Sequence, residues 1–289
     1  MRDRAIDEFE AIFERAAVPV LDIQPLRLPR LSAVLMGDAL DASILALAMY
    51  LRERFSASLR LHWPTTVADA VRAAIEMGGL KDDGDGFHST AELIGQIGLT
   101  RSRLVLISDP PGAESRIVNK DDLVRGSSPP ILIVHNPIAQ PARVFAKILH
   151  SLTGNFKQTE NFSYSFGLAE PGGEVLLLHT IAKGELTDVR ETLKLSSEID
   201  EQERDEVLAR LGRHGDRYLR GVIAAAHESS FDVSYRLEVG KIGSTVQAEL
   251  QGGGYSLLVV GNHEEGFSQI SAEDYQLMHE VRDVPVLAL

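Results

Sequence analysis

The fold of this chain is decided by the stretch Leu257-Leu258-Val259-Val260-Gly261-Asn262-His263-Glu264-Glu265-Gly266. Its first four residues form a short apolar run that ends in β-branched residues, which is typical of a strand buried on both faces of a parallel sheet. A loop of glycines and carboxylates follows at once. Ligands of such sheets bind just beyond the carboxyl ends of the strands, so the sequence predicts a ligand site here that carries negative charge of its own.

The composition is that of a globular protein, and its 289 residues suffice for two domains. The formal net charge of -13, without any dense run of Lys or Arg, disfavours nucleic acid and anionic membranes as partners. The absence of cysteine excludes disulfides and cysteine nucleophiles. There is no apolar signal region at the start and no apolar window long enough for a membrane helix. We therefore expect a cytoplasmic protein with no nucleic-acid or membrane partner.

An internal repeat becomes visible when the ends of the predicted strands are compared. The matching pairs are residues 58–63 with 175–180, 103–108 with 256–261, and 130–134 with 285–289. The predicted strands 33–38 and 147–155 open the two units, and helices are predicted to follow them at 44–51 and at about 156–169. Strands separated by helices of this length imply right-handed crossovers and parallel sheets.

The two prolines in residues 136–141 predict a linker, because proline extends neither a sheet nor a helix. We therefore predict an N-terminal helix and strand extension at residues 1–30, a first domain at 31–136 and a second domain at 142–289. The second domain is the fuller one, with charged helices at 197–225. In the first domain, the polar turn-forming run 81–86 predicts that the third strand is short or missing.

Residues 9–21 align with 275–287, the closing helix and strand of the second domain. Two interpretations of this extension stay open. It is either an amphipathic helix packed on the first domain and followed by a tail, or an added edge strand on one sheet or on the sheet of a partner.

In their order and spacing the strand ends resemble those of the universal stress protein family. The residues that carry the resemblance are Ile148-Leu149 through Thr153-Gly154-Asn155, Leu178-His179, Val239-Gly240, Val259-Val260-Gly261-Asn262-His263 and Val284-Pro285-Val286-Leu287. They cover nearly all of the second domain, with a degenerate version in the first. The resemblance implies an α/β fold of two tandem, doubly wound, parallel five-stranded sheets of the nucleotide-binding, α-hydrolase-like type.

The resemblance also implies a stress-response role and pairing through the last strands, either between the two domains or in a homodimer. In part of the family an adenine nucleotide is held at the strand ends. Glycines there let backbone amides approach phosphate oxygens, and the following helix N-terminus adds positive potential. The nucleotide- or ligand-binding residues expected on this basis are Asp38, Thr153, Gly154, Asn155, Val239, Gly240, Gly261, Asn262, His263 and Gly266.

The second domain departs from the ATP-holding pattern of the family. Family members that hold ATP have an Asp at the end of the first strand, where this chain has Thr153, and a second loop glycine, where it has Glu264. Glu265, Glu273 and Asp274 add three carboxylates near the expected triphosphate. Each unscreened like-charge contact near 4 Å costs roughly 1 to 4 kcal/mol, so we expect weak or no ATP binding without Mg²⁺.

The first domain departs in a different way. Asp38 matches the family's acidic residue, but Pro110 and Pro111 remove amide donors that a phosphate needs. Gly126-Ser127 comes too close to the strand at Ile131 to head a helix. The nucleotide pocket is therefore expected to be compromised in both domains.

Several candidate residues have simpler structural explanations. His62 and His179 end equivalent strands and are interpreted as structural, and the run His263-Glu264-Glu265 is not expected to bind a metal, because adjacent residues rarely converge on one ion. For Asp41 we favour helix capping.

Two further positions keep alternatives. Asp38 is left open between capping and ligand binding. For Gly240 and Gly243, an ordinary turn with a cap is favoured over an anion site at the following helix.

The favoured function is that of a tandem universal-stress-protein-like regulatory protein, not an enzyme, that acts by interaction with a ligand or an unknown regulatory protein. The alternative is an adenine-nucleotide-binding sensor or slow ATPase that uses ATP with Mg²⁺ in the second-domain cleft. A third and more remote class is an unrelated α/β enzyme with a cationic substrate. The chain has no Walker loop, Gly-x-Gly-x-x-Gly or Gly-x-Ser-x-Gly motif, which argues against kinases, dehydrogenases and serine hydrolases.

Overall fold

A computed structural model of the chain describes residues 23–77, 84–112, 117–152, 159–182, 218–226, 230–264, 267–269 and 271–289. The strands are β1 (Arg30–Val34), β2 (Ser58–Pro64), β3 (Gly84–Phe87), β4 (Leu104–Ser108), β5 (Ile131–Val134), β6 (Lys147–Leu152), β7 (Glu174–Ala182), β8 (Asp232–Gly240), β9 (Leu257–Val260), β10 (Asn262–Glu264), β11 (Phe267–Gln269) and β12 (Val286–Ala288). The helices are α1 (Asp41–Phe55), α2 (Ala68–Met77), α3 (Thr90–Thr100), α4 (Lys120–Gly126), α5 (Thr159–Leu168), α6 (Ile242–Gly253) and α7 (Ala272–Glu280), with a further helical segment at residues 218–225.

Within the described ranges, ten strands form one sheet in the order β3-β2-β1-β4-β5-β12-β9-β6-β7-β8. Neighbouring strands within β1–β5 are parallel, and so are those within the other five strands. The α/β prediction with five parallel strands per half is confirmed. The two halves are not separate sheets, because β5 and β12 pair antiparallel, with Ile133 opposite Val286 and Ile131 opposite Ala288.

Helices cover both faces of the sheet, as a doubly wound fold requires. One core cluster lies under α1, α2, α5 and the segment 218–225, and its large members include Phe145 and Phe162. The other lies under α3, α4, α6 and α7 and contains Leu93 and Met278. The central strands β4, β5 and β9 are buried along their whole length, which explains why they are continuous apolar runs in the sequence.

The third strand of the first half is present but short. Residues Gly84 to Phe87 pair with β2, although glycine and aspartate are poor strand residues. The ring of Trp63 explains this, because a Cβ atom on Gly84 would lie 2.1 Å from its Cζ3 atom. Glycine at position 84 therefore allows the buried ring to cover the strand. The expectation of a short strand is met, while a missing strand is excluded.

The predicted regions at the chain's beginning and middle lie partly outside the described residues. Residues 1–22, which carry most of the predicted N-terminal helix and strand, are outside the described residues. Most of the predicted helical stretch 197–225 is outside them as well. From residue 23 onward the chain packs on the core: Leu28 is buried and Leu26 lies against Gly167 in α5. Among the described residues, no helix is both long enough and apolar enough to cross a membrane.

Candidate functional site

Because β5 and β12 pair antiparallel, the carboxyl ends of the two sets of strands lie at opposite edges of the sheet. These two edges run across the strand ends and are distinct from the outermost strands, β3 and β8. Asp38, which follows β1, therefore lies at one edge, and Val239, Gly240 and Gly261 lie at the other. Of the predicted site residues that the structure describes, none of those in the second half lies near Asp38. Thr153, Gly154, Asn155 and Gly266 lie outside the described residues.

At the second edge, the ends of β8 and β9 flank those of β6 and β7. With strands about 4.8 Å apart, Gly240 and Gly261 are separated by roughly 14 Å across the sheet. Gly261 has a φ of 88°, the left-handed region that favours glycine, and makes the turn that ends β9. Gly240 ends β8, and helix α6 begins two residues later, so Gly243 is inside the helix rather than in the turn.

The chain after Gly261 forms a hairpin, where the sequence suggested a loop. Residues Asn262 to Glu264 pair antiparallel with Phe267 to Gln269, so that His263 is opposite Ser268. The first strand of this hairpin lies against α5 and the second lies against α4. The hairpin therefore stands between the end of β9 and the next helix.

The N-terminus of the next helix, α7, is satisfied by its own residues. The Ser271 hydroxyl accepts from the Asp274 amide at 3.0 Å and donates to the Asp274 carboxylate at 2.8 Å. Asp274 is buried, and Glu273 adds another carboxylate to the first turn. Acidic residues in this position offset the helix dipole that would otherwise attract an anion.

At the first edge, two aspartates organise the turn between β1 and α1. Asp38 accepts hydrogen bonds from the Leu40 amide at 2.8 Å and from the Ser108 hydroxyl at 2.9 Å. Asp41 accepts from the amides of Met36 and Gly37, each at 2.8 Å. The amides bound by Asp41 thus belong to the turn before the helix, and the N-cap Leu40 has no side-chain cap.

Asp41 is a buried carboxyl beside a second carboxyl. Burial raises its pKa to about 6, a shift that the Met36 and Gly37 amides oppose and that the charge of Asp38 reinforces. Asp38 accepts a hydrogen bond from the N-cap residue of α1, which fits a capping role. It also contacts Ser108 at the end of β4, where a ligand of a parallel sheet would bind.

Asp109, directly after β4, is the centre of a polar cluster that joins the two halves. Its carboxylate accepts from Lys120 at 2.7 Å and from Arg282, which comes from the loop before β12. His135 at the end of β5 contacts the Asp109 carbonyl at 3.0 Å. Burial alone would raise the pKa of Asp109, but hydrogen bonds and charge from Lys120 and Arg282 hold it below its ordinary value.

This cluster lies where the first-half strand ends in Ser108-Asp109-Pro110-Pro111. The prolines supply no amide donor, and the nearby cations are engaged with a carboxylate of the chain itself. Gly126 ends α4 and Ser127 follows it, as expected from their closeness to β5. The cluster could not be predicted from the sequence, because Pro110 and Pro111 adjoin Asp109 whereas Arg282 is 173 residues away along the chain.

The sequence predicts that His62 and His179 end equivalent strands, but both lie inside their strands, since β2 continues to Pro64 and β7 to Ala182, and both are buried. His62 hydrogen-bonds Ser32 at 3.0 Å and Gln96 at 3.1 Å, and burial lowers its pKa. Burial lowers the pKa of His179 to about 4. Both observations favour the structural interpretation. Among the described residues, no group of three potential metal ligands converges.

No protein-family model and no curated protein matches this chain. Solved structures do match it. A universal stress protein from Archaeoglobus fulgidus DSM 4304 matches with a TM-score of 0.53 and 13% identity, over 89% of this chain and 97% of that chain. A hypothetical protein whose biochemical function was assigned from its structure matches 50% of this chain and 94% of its own, with 17% identity and a TM-score of 0.39. The first similarity shows that the chain has the fold of a universal stress protein.

Proposed function

We propose that the chain is a universal-stress-protein-like regulatory protein of the stress-response type, which acts by binding a protein or small ligand and holds ATP weakly or not at all. The observation that carries the proposal is the hairpin β10–β11, which follows β9 where the resemblance assigns the ATP-holding loop. Amides that are hydrogen-bonded across a hairpin are not available to a phosphate.

Charge supports the same conclusion at both edges of the sheet. In the second half, Glu273 and Asp274 occupy the first turn of α7, which would otherwise be an anion site. In the first half, Asp109 already engages Lys120 and Arg282. A triphosphate would have to displace these carboxylates or carry enough Mg²⁺ to neutralise its own charge.

The test begins with freshly purified protein. We expect mass spectrometry and the ultraviolet absorbance ratio to show no stoichiometric adenine nucleotide, and calorimetric titration with ATP and Mg²⁺ to remain flat to millimolar concentration. Co-purified nucleotide at one equivalent per chain would overturn the proposal.

A pair of variants tests whether the altered loop is the cause. Glu264→Gly restores the family spacing of glycine, two residues, glycine after β9, whereas Glu265→Gly removes the same charge without restoring the spacing. We expect Glu264→Gly to bind ATP more tightly than Glu265→Gly. Equal affinities in the two variants would show that the loop geometry is not what limits ATP binding.

The alternative function is an adenine-nucleotide-binding sensor or slow ATPase in the second half. One observation favours it: the N-terminus of α6 lies at the same edge as Gly261, and its N-cap Lys241 forms no side-chain cap. An uncapped helix start accepts anions. On this alternative, the titration would show saturable binding that Gly261→Val abolishes, and phosphate would be released slowly in the presence of Mg²⁺.

A further inference from the structure

Strand β8 forms one edge of the ten-stranded sheet. Its inner side pairs with β7 over its whole length, from Asp232 opposite Glu174 to Gly240 opposite Ala182. No strand of the described part of the chain pairs with its outer side. The opposite edge, β3, is only four residues long, so β8 is the edge with a long row of backbone groups available for pairing.

The side chains of β8 are unlike those of the inner strands. None of its nine residues is buried, and exposed polar residues alternate with half-buried apolar ones. Val239 is 50% exposed, one of the few large apolar side chains in the described residues that face solvent to this degree. A strand with one apolar face that its own sheet leaves half covered is suited to pairing with another strand.

We propose that a second copy of this chain pairs antiparallel with β8, so that two sheets join into one across a twofold axis at Leu237. In this register Leu237 faces its own copy, and Tyr235 faces Val239 on each side. On the other face of the sheet Arg236, which also pairs with Glu249 of α6 in its own chain, is opposite Glu238 twice, which gives two cross-strand contacts of opposite charge. Such cross-strand pairs each contribute roughly 0.2 to 1 kcal/mol.

Other registers are less favourable. An axis at Arg236 sets two arginines against each other, and an axis at Tyr235 sets Asp232 against Glu238. An axis at Ser234 pairs Asp232 with Arg236 but leaves Val239 uncovered. A shift by a single residue would place the apolar face of one strand against the polar face of the other. The charge pattern and the exposed valine therefore select Leu237 as the centre.

The proposed dimer forms through the outer side of β8, with which no described strand of the same chain pairs. β5 lies between β4 and β12, and β12 lies between β9 and β5, so both last strands are paired on both sides within one chain. Around β8, the carboxylates of Asp232 and Glu238 are accompanied by Arg236 and Lys241, and Arg236 also neutralises Glu249 of α6. The net charge of the chain thus does not concentrate repulsion at this edge.

Cysteine cross-linking tests the register, because the natural chain contains no cysteine. Directly opposed residues have Cα atoms about 4.5 to 5.5 Å apart, which suits a disulfide. We expect Leu237→Cys to form a covalent dimer on mild oxidation. Ser234→Cys is the control, because its two copies would be roughly 20 Å apart at 3.3 Å per residue, too far for a disulfide.

Two further measurements do not depend on the folding of Leu237→Cys. A mixture of Arg236→Cys and Glu238→Cys proteins should cross-link, while each alone should not. In sedimentation, Glu238→Arg should weaken the dimer about tenfold, because two attractive pairs become repulsive. Glu53→Arg, on an exposed part of α1, makes the same change of charge and should leave the dimer unchanged.

A chain that sediments as a monomer would overturn the proposal. A dimer that cross-links through Ser234→Cys, or one that fails to cross-link through Leu237→Cys and through the mixed pair, would overturn the stated edge and register.

Discussion

At position 84 only a hydrogen atom fits beneath the ring of Trp63. A methyl group there would lie 2.1 Å from the Cζ3 atom of Trp63 and 2.7 Å from the Leu61 carbonyl oxygen. We expect Gly84→Ala to lower the free energy of unfolding by about 1 to 3 kcal/mol, the usual cost of overpacking. Trp63 is the only tryptophan, so urea unfolding followed by its fluorescence reports the change and the disturbance of the ring together.

Gly95→Ala is the matched control for this substitution. Gly95 is inside α3, and a Cβ atom there meets nothing within 4 Å. Because alanine is a better helix former than glycine, we expect a gain of about 0.5 to 1 kcal/mol. If both variants changed the free energy of unfolding in the same direction, the contact with Trp63 would not explain the requirement at position 84.

Asp41 makes the stability of the fold depend on pH. Its pKa rises from an ordinary 3.8 to about 6, so the folded state binds the proton more tightly than the unfolded state. The stabilisation by protonated Asp41 is therefore fully present below about pH 3.8 and is lost as the pH rises to about 6. We expect wild type to lose up to about 3 kcal/mol relative to Asp41→Asn across this window.

The measurement is urea unfolding of both proteins at intervals between pH 4 and pH 7. Taking the difference removes the contributions of the other carboxylates, which titrate in both proteins. Parallel pH profiles, or a wild type that gains stability over the variant as the pH rises, would contradict the assignment.

Residues near the strand ends show why the sequence predicts some contacts and not others. Gly84-Asp85-Gly86 has the composition of a turn, and only the tertiary contact with Trp63 explains it as a strand. Similarly, Asp41 has the sequence position of a capping residue, but it is the first residue of α1, and its hydrogen bonds go back to the turn after β1. Local patterns indicate the type of residue needed, while the partner is determined by the fold.

Among the elements, helix α5 depends on a residue from the other half of the chain. Arg54, near the end of α1, donates to the carbonyls of Leu168 at 2.8 Å, Ala169 at 2.6 Å and Gly167 at 3.1 Å, and pairs with Glu170. The last carbonyls of a helix have no partner within the helix. We expect Arg54→Met, which keeps the apolar stem, to lower the free energy of unfolding by about 2 to 4 kcal/mol.

Arg52→Met on the same helix serves as the control, because Arg52 is exposed and its side chain donates, within the described part of the chain, to the sulfur of Met49 alone. Its effect should stay within about 0.5 kcal/mol. Both variants are compared by urea unfolding at neutral pH. Equal losses in the two variants would mean that the carbonyls of α5 gain nothing from Arg54.

Some of the strands could be predicted from the sequence and others could not. Strands β4, β5 and β9 are buried apolar runs, and their type and place were predicted from that pattern. The hairpin β10–β11 was not predicted, since polar residues interrupted by glycine are typical of loops as well as hairpins. The predicted phosphate loop lies in this segment, so that part of the candidate site depends on whether the segment is a loop or a hairpin.

At the scale of the whole molecule, the repeat in the sequence predicts two similar sets of strands but not how they meet. The antiparallel pairing of β5 with β12 sends the two sets of strand ends to opposite edges, so Asp38 is separated from the residues of the second half. Each strand carries the same apolar pattern whichever neighbour it pairs with. The direction of the junction is set by packing over the whole sheet, which no single stretch encodes.

The cluster at Asp109 provides a measure of how strongly the halves are coupled. A double-mutant cycle with Asp109→Ala and Arg282→Ala should give a coupling energy of about 1 to 3 kcal/mol in urea unfolding, because the pair is partly buried and in direct contact. The side chain of Asp109 is 17% exposed and joins Arg282 from the other half.

The pair Arg60 and Asp85 is the control for this cycle. It has equally direct geometry, with contacts at 2.8 Å and 3.0 Å, but it lies within the first half, and its Asp85 side chain is 42% exposed. Exposed pairs contribute roughly 0.2 to 1 kcal/mol and weaken further with salt, so we expect the Asp109–Arg282 coupling to be the larger and the less sensitive to salt. A coupling at Asp109–Arg282 no larger than that at Arg60–Asp85 would show that the junction is held by the apolar pairing of β5 and β12 alone.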